Sequence, residues 1–114
     1  MELWEQIEQK VKELDVSVKT LRKTGTELAE AERNYKEILS KKALELRDSG
    51  MAVTLIDKVI YGIKDVAELR FKRDVAEAVY NANKEAINSI KLQIKIIQEQ
   101  NSQEWGAAKY DGIR

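Results

Sequence analysis

The 114-residue chain carries 20 basic and 20 acidic residues, so its formal net charge is zero; it is 35% charged and 6% aromatic, with no proline, histidine or cysteine. Balanced charge leaves no whole-molecule field to steer the protein towards nucleic acid or anionic lipid. Without histidine or cysteine, zinc ligand sets, di-iron Glu-x-x-His pairs, thiolate and triad chemistry, disulfides and the usual general base all fall away.

The same composition points to one all-α domain of long charged helices, and no segment alternates with the period of a strand. No run approaches the ~20 apolar residues of a membrane span. The start, Met1-Glu2-Leu3-Trp4-Glu5, has neither a basic nor an apolar leader region. A cytoplasmic protein with no membrane contact and no cofactor is the expectation.

The first predicted element is a helix over residues 2–48. Ile7, Val11, Leu14, Val18, Leu21, Gly25, Leu28, Glu32, Tyr35, Leu39, Lys42 and Leu46 recur every three and four residues as a heptad seam. Glu8 with Lys12, Asp15 with Lys19, Glu32 with Lys36 and Glu37 with Lys41 stand four apart in the favourable acid-first order, which marks the solvated face. Gly25 sits on the seam, so Thr24-Gly25-Thr26 is the weakest point of the helix, or a hole for a bulky neighbour. Arg47-Asp48-Ser49-Gly50 reads as a C-terminal stop.

A short helix over 55–61 follows, with Thr54 and Asp57 as a weak N-terminal cap and Gly62 as its end. Its apolar surround predicts burial of Leu55, Ile56, Val59 and Ile60; a strand over 52–56 is the alternative, without a partner to pair with. Asp65 and Glu68 form a capping-box pattern that opens a third helix over 66–104. Its seam runs through Leu69, Arg73, Ala76, Tyr80, Asn83, Ile87, Ile90, Ile94 and Ile97, and Val75, Val79, Ala82 and Ala86 widen the stripe. Residues 106–114 read as a flexible tail beyond a 1–105 domain, unless Tyr110 docks on a partner.

Together these elements predict a long antiparallel, coiled-coil-like hairpin with a short connecting helix, completing a bundle by self-association. Matching the helix ends places Ile7 near Trp105, Gly25 opposite Ile87, and Glu32 beside Tyr80. That register predicts a polar layer of Glu32, Arg73 and Tyr80 inside the seam. Val16, Ile38, Val75, Val79 and Ile96 stay uncovered, which implies a homodimer or higher oligomer. Trp4 and Trp105 are expected to pack on each other or on a partner at the open end.

Glu27-x-x-Glu30 and Glu45-x-x-Asp48 resemble the paired magnesium-binding motifs of the all-α nucleoside triphosphate pyrophosphatases. On one continuous helix the two pairs stand about 27 Å apart and cannot share an ion. Solvated helix charge is the better reading. The runs Lys19-Thr20-Leu21-Arg22-Lys23 and Arg70-Phe71-Lys72-Arg73 could touch phosphates but are flanked by acids, which makes nucleic acid a second-choice partner.

Val53-Thr54, Gly62, Val66-Ala67-Glu68-Leu69-Arg70, Arg73-Asp74-x-Ala76-Glu77, Tyr80, Lys84-Glu85-Ala86-Ile87 and Glu104-Trp105 resemble small all-helical proteins encoded by prophages and temperate phages of Gram-positive bacteria. The resemblance covers about half the chain. It implies a phage-derived protein with phage proteins as partners, and directs attention to Arg70, Arg73, Asp74, Glu77 and Tyr80 as a partner surface or internal polar layer.

Overall fold

A computed structural model describes the backbone of residues 2–113 and the side chains of residues 2–106. Its elements are α1 (Leu3–Asp48), α2 (Val53–Val59) closed by a 3-10 turn (Ile60–Gly62), and α3 (Lys64–Ile113), with no strand among the described residues. The all-helical expectation of two long helices joined by a short one therefore holds. The chain divides into two units, residues 1–22 with 82–114 and residues 23–81; α1 and α3 contribute to both.

α1 is unbroken through Thr24-Gly25-Thr26. Its end is fixed by backbone chemistry: Gly50 adopts φ 91°, the Gly50 amide donates to the Arg47 carbonyl at 3.0 Å, and the Met51 amide to Leu46 at 3.2 Å. This pair of reversed bonds satisfies carbonyls that the helix leaves over, and glycine alone takes the left-handed conformation cheaply. Met51 and Leu46, the residues so joined, both pack against the core of the second unit.

Two helix starts differ from the sequence reading. α2 begins at Val53, with extended Ala52 as its cap and no side-chain cap bond; the amides of Leu55 and Ile56 both donate to the Ala52 carbonyl. Thr54 is thus inside the helix. α3 begins at Lys64, after extended Ile63, so Asp65 lies in the first turn. There its charge still meets the positive helix end, while Glu68 pairs with Lys72 at 3.7 Å rather than reaching back. The Ile63 carbonyl accepts the Ala67 amide at 2.8 Å, the ordinary first bond of a helix.

α3 also continues past its expected end at 104 to Ile113. Gly106 keeps a helical backbone, because one exposed glycine costs only about 1 kcal/mol and does not by itself stop a helix. The expected docking of Tyr110 concerns side chains outside the described residues, as does Arg114.

In the second unit three elements converge. Tyr35 from α1, Ile56 and Ile60 from the connector and Val66 from α3 form the buried cluster, ringed by Ile38, Leu39, Ala43, Leu46, Met51, Ile63 and Leu69. The four-residue spacing of Ile56 and Ile60 aims one side of the short segment inwards. Leu55 and Val59, also expected to be buried, stay 47% and 37% exposed on its other side.

In the first unit only two helices meet, and among its described hydrophobic residues Ile87 and Ile97 are buried. Two cylinders cannot enclose a full heptad stripe. Accordingly Val11 and Val18, assigned to the seam, remain about half exposed, while the seam residues Ile7, Leu14 and Leu21 are half-buried together with Lys10 and Ser17.

Candidate functional site

All six residues singled out as a polar layer or partner surface fall within the second unit. The structure brings only some of them together. Arg73 donates to Asp74 Oδ1 from Nε at 3.0 Å and from Nη2 at 2.7 Å, and its guanidinium lies 4.6 Å above the centre of the Tyr35 ring. The hydrogen bond to Asp74 is the chief reason the Arg73 pKa is raised, with burial opposing it and the charges of Asp74, Tyr35 and Glu77 adding to it. Arg73 is therefore a permanent cation resting on the edge of the core.

Arg70 makes a parallel arrangement, 5.0 Å above the Tyr61 ring. Such stacking contributes about 0.5–1 kcal/mol at exposed positions. It also lays the arginine stems over apolar surface, so both cations act as covers for aromatic rings.

The expected layer of Glu32, Arg73 and Tyr80 does not form. Glu32 lines an open groove with Ala29, Arg33, Lys36, Glu37 and Ser40 of its own helix; Arg73 is taken by Asp74 and Tyr35; and the Tyr80 ring lies against Gly25, 3.5 Å from where a glycine Cβ would sit. The bulky neighbour predicted at Gly25 is present, but it is Tyr80, not Ile87. Antiparallel pairing holds within this unit, with Gly25 meeting Tyr80 and Tyr35 meeting Arg73. The register is displaced by one heptad from the end-matched one at Gly25. A seven-residue slip leaves the apolar pattern unchanged, so the heptad repeat alone does not choose between the two registers.

In the first unit the Asn83 side chain donates to the Ser17 carbonyl at 3.1 Å, another polar pin between the two helices. Trp4 and Trp105 stand 65% and 74% exposed, so neither indole is buried against the other.

Gly25→Ala is expected to stabilise the protein by up to about 1 kcal/mol, since alanine is the better helix former and its Cβ would meet Tyr80 at an ordinary contact distance. Thermal unfolding checks this. A loss of stability would mean that the ring sits closer than described.

Glu27, Glu30, Glu45 and Asp48 lie on one continuous helix, and no group of acidic side chains that could hold a metal occurs among the described residues. No buried side-chain nitrogen or oxygen there lacks a partner, so no desolvated polar group stands ready for a ligand. No described helix is long and apolar enough to cross a membrane.

What fold and site define is an all-α protein of two long helices with a short one between them. Comparison extends this no further: no protein-family model matches the chain, and no curated protein or solved structure matches it.

Proposed function

We propose that this chain is a non-enzymatic interaction module that works by self-association, acting in the cytoplasm as an assembly element among phage proteins. One observation carries the self-association. Among the described residues, fifteen large hydrophobic side chains are at least 37% exposed, against six hydrophobics that are buried. Scattered exposed apolar residues are ordinary, but here Val75, Val79 and Phe71 on α3 and Val11 and Val18 on α1 recur at helical spacing. Rows of this kind gain about 25 cal/mol for each Å² they bury. The likeness to small phage and prophage proteins supports the phage setting.

Sedimentation equilibrium tests the proposal. The expected result is a mass that is a multiple of 13.1 kDa and falls towards one chain on dilution. A single-chain mass at every concentration would overturn it.

A nucleic-acid accessory is the second reading. Against it, Lys19 pairs with Asp15 at 3.1 Å, Lys72 with Glu68 at 3.7 Å and Arg73 with Asp74 at 2.7 Å, which offsets the basic runs that would meet phosphates. Salt-dependent binding to single- or double-stranded DNA would favour it.

A further inference from the structure

We infer that the exposed face of α3 in the second unit, centred on Phe71, Val75 and Ala78, is where a second copy of this chain docks, with the two α3 helices antiparallel. The inference rests on the self-association proposed above and names its surface. α3 carries two apolar lines. One faces α1 through Leu69, Ala76 and Tyr80, which are half-buried; the other passes through Phe71, Val75 and Val79, which are 67%, 45% and 47% exposed. A helix with two apolar lines about a third of a turn apart is built to touch a neighbour on each.

The second line has its own heptad order: Lys64, Glu68, Phe71, Val75 and Ala78 alternate by four and three. Its charges argue for a like partner in one orientation. Residues 64–81 hold four bases and four acids (Lys64, Arg70, Lys72, Arg73; Asp65, Glu68, Asp74, Glu77), so two copies meet without net repulsion. A parallel pair would set Lys64 on the partner's Lys64 and Glu68 on the partner's Glu68 along the seam, which is unfavourable. Antiparallel pairing separates those like charges. It also turns the large Phe71 towards the small end of the line, at the partner's Ala78.

The face offers large apolar side chains to a partner, since Phe71, Val75 and Val79 are 67%, 45% and 47% exposed, and a standard stable interface takes roughly 800 Å² from each partner.

The test compares dimer dissociation constants from sedimentation for Phe71→Asp, Val75→Asp and a control, Val16→Asp, which alters a 63% exposed valine of the first unit. Circular dichroism establishes that each variant keeps its helix content. The two α3 variants are expected to weaken dimerisation by about 30-fold or more, the loss typical of a central interface residue, and the control by less than about threefold. Mixing Val75→Asp with Val75→Lys should restore a heterodimer, which general destabilisation would not. A wild-type dimer that survives both α3 substitutions, or that Val16→Asp disrupts equally, overturns this surface while self-association stands. A wild-type monomer overturns both.

Discussion

Replacing Val66 with aspartate should abolish cooperative folding of the 23–81 unit, or lower its melting temperature by about 20 °C or more. Val66 is fully buried, the point where α3 meets Tyr35 of α1 and Ile56 and Ile60 of the connector. An aspartate there loses the transfer energy of valine, about 1.5–3 kcal/mol. It also buries a carboxylate with no partner, which costs several kcal/mol more whether it stays charged or takes up a proton. That is a large share of the ~5–15 kcal/mol by which a domain is stable. Thermal and urea unfolding followed by circular dichroism give the measurement. A Val66→Asp chain that melts like the wild type would mean that Val66 is not at the centre of this core.

Tyr35→Ala should cost about 3–5 kcal/mol, the usual loss when a buried aromatic ring is deleted from a core. Tyr35 is 7% exposed and supports both the cluster beneath it and the Arg73 guanidinium above it. The pattern across a short series separates these two roles. Tyr35→Leu, which keeps most of the apolar bulk, should lose much less than alanine. Arg73→Met should cost about 1 kcal/mol, because the cation lies at a partly solvated edge where both stacking and ion pairing are screened. If Arg73→Met proved as damaging as Tyr35→Ala, the polar contact and not ring burial would be what holds this corner. Unfolding midpoints at fixed pH decide between them.

How far these features could be read in advance depends on the range of the interaction concerned. The end of α1 was legible, since Ser49-Gly50 after a basic turn leaves few other conformations. The helix starts were not, because Thr54 and Asp65 offered plausible side-chain caps, whereas the helices begin at Val53 and Lys64 and take both residues into their first turns. No composition rule ranks those alternatives. Of the apolar residues expected to stay uncovered, Val16, Val75, Val79 and Ile96 do, but Ile38 is half-buried against the core of the second unit, where the connector adds a third element. The exposure of Val11 and Val18 was not foreseen, because two helices alone do not enclose every seam position.

The candidate site was legible as a set of residues but not as a set of pairs. Arg73 was expected to answer Glu32 across the seam, and instead Asp74, its immediate neighbour, reaches it first. Tyr35 was on the seam yet not marked as part of the site. The signal that could have found it is an aromatic ring opposite a seam arginine, a pairing that satisfies the cation without burying its charge.

By itself the order of residues determined that this protein is helical, where α1 stops, and that its stripes exceed what one hairpin can cover, because helix period, glycine stereochemistry and hydrophobic spacing act within a few residues along the chain. Only the tertiary structure decided which heptad of α3 faces which heptad of α1, which of the four apolar connector residues turns inwards, and who pairs with Arg73. Repeats spaced by seven are equivalent until they are packed, and in the packed chain the Tyr80 ring lies against Gly25 and the Tyr35 ring beneath Arg73.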